Sequence, residues 1–179
     1  MVLRDYNWLD FLDRCQRKPD LSAFVSGDFP GVSVAHVDVP IGEGEPYGRV
    51  PLFQSQEAEV LLVRWRPDTF CLPHNHALSR GVIYLMQGSF TERAWGWRSG
   101  CLQPLSEQTL VAPSLVTLDT ADIHDMKALG AGLSVHCYWP PIDQMRVFDP
   151  EHRETLVVSN RTGAWRPHAT SDILAREPW

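Results

Sequence analysis

The chain has 179 residues, 44% of them hydrophobic and 21% charged, with a formal net charge of −6. That length supports one domain with a substantial core, and the acidic balance, with no basic run, argues against a nucleic-acid or anionic-membrane surface. No apolar stretch reaches the roughly 20 residues of a membrane span, and the N-terminus carries scattered charge without an apolar h-region, so no signal peptide is expected and a cytoplasmic setting is.

In chain order, Asn7 to Arg17 sets Trp8, Leu9, Phe11, Leu12 and Cys15 at helical spacing before Pro19 stops the run. One amphipathic N-terminal helix is predicted, within about residues 5–18. From Ser33 the texture changes to short β-branched and aromatic runs: VSVAHVDV, AEVLLVRW, GVIYLMQGSFTERAWGW, QTLVAPSLVTLD and GLSVHCYWPP. Turn-forming segments divide them, among them PIGEGEPYG, RPDTF, RSG and LGAG. Many short strands with little later helix point to an all-β sandwich or barrel over about residues 32–163. The last stretch, residues 164–179, is polar and reads as a surface tail or short helix. Cys15, Cys71, Cys101 and Cys137 show neither C-x-x-C pairing nor zinc-finger spacing, so reduced and mostly buried thiols are expected.

Within the strand-rich region, PHNHALSRG holds two histidines. If Pro73 to Ala77 is extended, His74 and His76 point to one side and Asn75 to the other. Two imidazoles converging from one strand suit a divalent metal ion, although an H-x-H by itself also describes satisfied or surface histidines. The spacing onward to Gly81 and Gly88 resembles the first cupin motif, with Gly81 where that motif has its glutamate. His124, in DTADIHDMKALG, follows at a suitable distance for a third ligand. Its surroundings depart from the usual second motif at Asp119, Ala121 and Ala128, where proline, glycine and asparagine are common. In GLSVHCYWPP, Ser134, His136 and Tyr138 share one strand face while Val135, Cys137 and Trp139 take the other. Three hydrogen-bonding groups on one face are costly in a dry core unless they satisfy each other or line a site; the polar outer face of an edge strand is the alternative.

Together these residues resemble the cysteine dioxygenase family of thiol dioxygenases. The resemblance runs from about Tyr47 to Gly163, anchored by PYGRVPLF, VRWRPDTFCLPHNHALSRG, LMQGSFTERAW, DIHDM and LSVHCYWPPIDQMRVFD. It implies a cupin β-barrel, an antiparallel jelly-roll-like sandwich, holding iron(II) on His74, His76 and His124. It also implies that Tyr138 stands beside the metal, backed by His136 and Ser134. Arg49, with Tyr47 nearby, would hold a substrate carboxylate by two parallel hydrogen bonds, and Trp65 would form a packing wall. The Y-x-P-P run implies a sharp turn with a cis Trp139–Pro140 bond. Animal members of the family crosslink a cysteine at the Gly81 position to the tyrosine, and Gly81 excludes that here. The N-terminal helix and the residues after Gly163 find no counterpart.

The absent carboxylate suits this chemistry. Three neutral histidines leave a dipositive charge uncompensated, which favours an anionic donor and lowers the pKa of a coordinating thiol. The implied activity is oxidation of a small carboxylate-bearing thiol, L-cysteine to cysteine sulfinate, with addition of both atoms of O2. The same chemistry on 3-mercaptopropionate or homocysteine, or a pathway-specific cysteine oxidation with a different product, is the nearest alternative. A zinc or manganese metallocupin isomerase or hydrolase, and a non-catalytic binding cupin, are more remote. The expected partners are the small thiol and O2, without nucleic acid or membrane, and the chain is expected as a monomer or homodimer.

Overall fold

The computed structural model describes residues 7–17 and 37–179. Helix α1 (Trp8–Arg17) buries Trp8, Phe11, Leu12 and Cys15, the i, i+3, i+4, i+7 stripe of an amphipathic helix. Each such side chain contributes roughly 1.5–3 kcal/mol by leaving water. Leu9, one residue off that stripe, is instead 49% exposed. The Asn7 side chain accepts the Asp10 amide at 3.2 Å and so caps the first turn. Residues 5, 6 and 18 of the expected helix lie outside the described residues.

Among the described residues twelve strands follow: β1 (Tyr47–Gln54), β2 (Glu59–Trp65), β3 (His74–Asn75), β4 (Arg80–Gln87), β5 (Ser89–Arg98), β6 (Cys101–Val111), β7 (Ser114–Leu118), β8 (Ile123–Ala128), β9 (Gly132–Trp139), β10 (Gln144–Asp149), β11 (Glu154–Ser159) and β12 (Ile173–Pro178). They form a five-stranded sheet, β1-β2-β9-β4-β7, and a seven-stranded sheet, β12-β11-β10-β3-β8-β5-β6, the all-β sandwich that the residue pattern predicts, of the cupin kind that the resemblance implies. Of the run VSVAHVDV, residues 37–39 form no strand and the earlier ones lie outside the described residues.

The five-stranded sheet is covered on both faces, which is why its central strands read as nearly unbroken apolar runs. Val60, Leu62, Val82, Tyr84, Val135 and Cys137 face outward into one cluster with Trp8, Phe11, Leu12 and Cys15 of α1. Leu61, Val63, Trp65, Ile83, Leu85 and Tyr138 face inward into a second cluster, shared with Met126, Met145 and Val147 of the opposing sheet. β4 passes directly into β5 through Gly88, whose φ of +100° a side chain would rarely adopt.

One expectation changes, at the C-terminal end, and two are met. Residues 164–179 are neither tail nor helix beyond a 3-10 turn at Thr170–Asp172, because β12 pairs antiparallel with β11 and closes the edge of the large sheet. An edge strand exposed along most of its length has no alternation to announce it. Trp139–Pro140 is cis as the family resemblance implies, and so is Ala112–Pro113. Cys15, Cys71 and Cys137 are buried free thiols and Cys101 is exposed.

Candidate metal centre

Strand β3 is two residues long and wedged between β10 and β8, in register that sets His74 opposite His124. His76 lies just beyond it. The three rings stand 4.8–5.4 Å apart between centroids, and one nitrogen from each falls within 4.8 Å of the others. All three are buried, at 6%, 1% and 4% exposure for His74, His76 and His124.

The outer contacts orient two of the rings. His74 Nδ1 donates to the Leu72 carbonyl at 2.9 Å, and His124 Nδ1 meets Glu92 Oε1 at 2.9 Å. Glu92 in turn accepts from Gln108 Nε2 on its other oxygen at 2.8 Å. An Nδ1 proton committed in this way leaves the Nε2 lone pair free to ligate. His124 Nε2 and His76 Nδ1 are buried with no hydrogen-bond partner among the described residues. Burial, then the neighbouring histidines, hold His74 and His76 well below the usual imidazole range, so both are neutral at physiological pH. Three converging imidazoles, two of which carry a buried nitrogen without a partner among the described residues, fit a divalent metal ion.

A buried relay approaches the triad from β9. Trp65 Nε1 donates to Ser134 Oγ at 2.8 Å, Ser134 Oγ meets His136 Nε2 at 2.9 Å, and His136 Nδ1 meets Tyr138 Oη at 2.9 Å. Tyr138 Oη is 3.3 Å from His76 Nε2. Burial, followed by the charges of His124 and Arg49, lowers His136 to about 3, and burial pushes Tyr138 well up. Both are therefore neutral. Gly81 pairs with Tyr138 across β4 and β9, and a Cβ on it would sit 2.6 and 2.8 Å from ring carbons Cδ1 and Cε1. The glycine makes room for the tyrosine ring, which stacks on His76 at 5.0 Å between centroids.

Tyr47, Arg49, Trp65, His136 and Tyr138 line one chamber with the three histidines. Tyr47 Oη accepts the Ala164 amide at 2.8 Å, and its ring packs on Trp65 and Trp165. Trp65 does more than wall the chamber, since it also holds Ser134. Arg49 departs from expectation more sharply. Its Nη2 donates to the carbonyls of Asn160 at 2.6 Å and Thr162 at 2.5 Å, which uses both hydrogens on that nitrogen. Both two-point edges of a guanidinium include Nη2, so in this arrangement no fork remains for a carboxylate.

Two carboxylates escaped the sequence reading, Glu92 on β5 and Glu59 on β2. Each falls on a two-residue period with buried neighbours: Phe90 and Glu92 in one strand, and Glu59, Leu61, Val63 and Trp65 in the other. The buried charge at a position the period assigns to the core was the available signal.

The protein-family model for cysteine dioxygenase type I matches residues 46–151, a span holding the three histidines, the relay, Tyr47 and Arg49. Among solved structures, the cupin domain of Cnp3 from Schizosaccharomyces pombe is 10% identical with a TM-score of 0.50, over 62% of this chain and 74% of that one. An RmlC-like cupin from Shewanella frigidimarina is 15% identical with a TM-score of 0.48, over 59% and 86%. KdgF from a Halomonas species is 17% identical with a TM-score of 0.47, over 57% and 87%. At such identities the likeness to the Cnp3 domain concerns the fold alone.

Proposed function

This chain belongs to the cysteine dioxygenase type I family, and on that premise we propose that it is an iron(II)-dependent thiol dioxygenase. Its substrate is a small carboxylate-bearing thiol, L-cysteine, and its product the sulfinic acid, with both oxygen atoms of O2 added to sulfur. The observation that carries this reading is the meeting of the three-histidine group with His136 and Tyr138, the inner end of the relay from Ser134, in one chamber that Arg49 also lines.

His74, His76 and His124 would hold the metal. When bound there, iron(II) supplies a Lewis-acidic charge and open positions that favour a thiolate beside O2. The protein contributes the rest. Tyr138, kept protonated by burial, offers a hydrogen-bond donor at the edge of the triad, and His136 fixes its orientation. Arg49 and Tyr47 anchor the carboxylate end of the substrate and so place its sulfur relative to the histidines. Val63, Ile83, Met126 and Met145 supply apolar walls that exclude bulk water.

Metal analysis followed by a panel of thiols in an oxygen electrode tests the proposal. Iron-loaded protein should consume O2 with L-cysteine and release cysteine sulfinate. Preference for 3-mercaptopropionate would move the substrate, and no oxygen uptake with any thiol would overturn the activity.

A further inference from the structure

The chamber at the histidines holds only about 20 Å³ of free space, close to the ~10–15 Å³ that one water needs. A thiol that carries a carboxylate cannot enter unless a wall moves. Most of that wall is strand: of the residues that line it, only His76 and Ile142 lie outside the β-strands. His76 is a candidate metal ligand, with the Tyr138 ring stacked on it. Leu61 and Val63 belong to β2, which is paired on both sides, and Arg49 Nη2 is held by the Asn160 and Thr162 carbonyls. Ile142 is the part of the wall with the most freedom to move.

Its segment, residues 140–143, joins the end of β9 to the start of β10. Toward the chamber it presents Ile142, which is 5% exposed. Pro140, Pro141 and Asp143 of the same segment border a separate recess of about 340 Å³, shared with Gln56 and Leu78. The segment thus has space to retreat into without displacing a strand. Among the described residues one side-chain hydrogen bond reaches it: the Ile142 amide donates to Glu59 Oε1 at 2.9 Å. Glu59 is buried and stands opposite Tyr138, at the end of the pairing between β2 and β9. The bond therefore ties the segment to the sheet just where its own strand leaves that pairing.

We propose that residues 140–143 are the gate of the chamber, with Ile142 as the moving wall and Glu59 as the latch. Closed, the gate seals the histidines from bulk water; opened into the recess, it admits a small ligand and then covers it. A carboxylate acceptor suits a latch, because a charge-assisted hydrogen bond is strong enough to keep the closed form dominant yet is a single contact to break. For the identity of the molecule admitted this inference rests on the proposed dioxygenase reading. The gate itself can be tested without turnover.

A gate sets rates of passage and leaves affinity alone, so cobalt(II) serves as the probe. In purified full-length protein, Glu59→Ala should speed both cobalt(II) loading and its loss to excess EDTA by about tenfold, with the equilibrium affinity unchanged. Glu59→Gln, which keeps a neutral acceptor for the Ile142 amide, should fall between the two. Gln56→Trp fills the recess from outside the chamber and should slow both rates. Hydrogen exchange gives the second measurement: the Ile142 amide should exchange about tenfold faster in Glu59→Ala, while the amides of β2 and β4 keep their protection. Loss that speeds without loading would mean a damaged site, and with unchanged rates, or no response to Gln56→Trp, it would overturn the gate. If cobalt(II) is not taken up, the exchange pattern alone decides, and equal acceleration across β2, β4 and Ile142 would overturn the latch. Failure to oxidise any thiol would instead sink the dioxygenase reading and leave the cobalt and exchange results standing.

Discussion

Trp65 Nε1 donates to Ser134 Oγ across 2.8 Å, and this contact gives the buried relay a direction. An indole N–H is only a donor. Ser134, fully buried, must therefore accept from Trp65, and the acceptor within reach of its own proton is His136 Nε2. A neutral His136 then carries its proton on Nδ1 and donates to Tyr138 Oη. The opposite polarity would strand the Ser134 proton without an acceptor in the core, at about 1–3 kcal/mol. The tyrosine's own proton is left to point at the chamber.

Trp65→Phe removes that donor while keeping a ring against Tyr47 and Phe90. Loss of one buried hydrogen bond, about 1–1.5 kcal/mol, should lower kcat about tenfold. Iron content and KM should stay close to those of the unmodified enzyme. Steady-state kinetics beside metal analysis checks this, and an unchanged kcat would show that the relay has no directional role.

Glu92 should matter to the metal more than to the fold. Replacing it with alanine frees His124 Nδ1 from its acceptor, and loss of such an outer partner typically weakens metal binding 10–100-fold. Chelator competition would measure that loss directly. Gln108→Ala, one contact farther out, should produce a smaller loss in the same direction.

The legible parts of the molecule are those where a period meets burial. The α1 stripe and the central strands β2, β4 and β9 were readable because apolar residues occupy most of the positions that pack, with Glu59, Ser134 and His136 the buried polar exceptions. Strand β3 was not, because two residues cannot show a period; only the metal logic of His74 and His76 marked it as extended. Strand β12 was invisible for the opposite reason, since an exposed edge needs backbone partners and no apolar face. Glu59 and Glu92 were passed over because charge in a sequence ordinarily means surface, and what reverses that meaning is the neighbour across the sheet. The anchoring of Arg49 depends on carbonyls more than 100 residues away, which no local pattern encodes.

A cluster of ion pairs behind the site should govern stability in acid. Asp149 accepts Arg166 Nε at 3.0 Å and Nη2 at 2.7 Å, and also the His152 ring; Glu154 takes Arg166 and Arg176. Burial alone would raise Asp149, but the bonds from His152 and Arg166 hold it below the usual carboxylate range; the Arg166 bond lowers Glu154. Depressed carboxylates stabilise the fold above their unfolded pKa, near ~4, and lose that contribution as pH falls through the folded value. Unfolding should thus become easier below about pH 4. Asp149→Asn should cost about 1–3 kcal/mol at pH 7, a Tm drop of roughly 2–10 °C, and flatten the acid limb. Thermal melts across pH would decide it.

Arg49→Ala should remove the carboxylate anchor, costing roughly 2–4 kcal/mol in kcat/KM for cysteine and little for cysteamine, which has no carboxylate. Arg49→Lys should rescue poorly, since one ammonium cannot hold two carbonyls and still reach a ligand. Equal turnover of cysteine and cysteamine by the unmodified enzyme would remove Arg49 from substrate recognition.

Gly81 offers the sharpest geometric test. A methyl group there would lie 2.6 Å from Tyr138 Cδ1 and 3.0 Å from the Cys137 carbonyl, and the carbonyl belongs to a paired strand that has little freedom to retreat. The ring must therefore swing, carrying Oη away from His136 and His76. Gly81→Ala should lower kcat at least tenfold and cost about 1–3 kcal/mol of stability, as overpacking does. In a Tyr138→Phe background the same substitution should cost stability but little further activity, because the hydroxyl it displaces is already gone. Full additivity of the two activity losses would show that Gly81 acts through something other than Tyr138. The glycine also removes any sulfur from that side of the ring, while Cys137 projects into the opposite, helix-facing cluster. The intact mass of purified protein should match the unmodified chain, and a deficit of two hydrogens mapping to Tyr138 would contradict this placement.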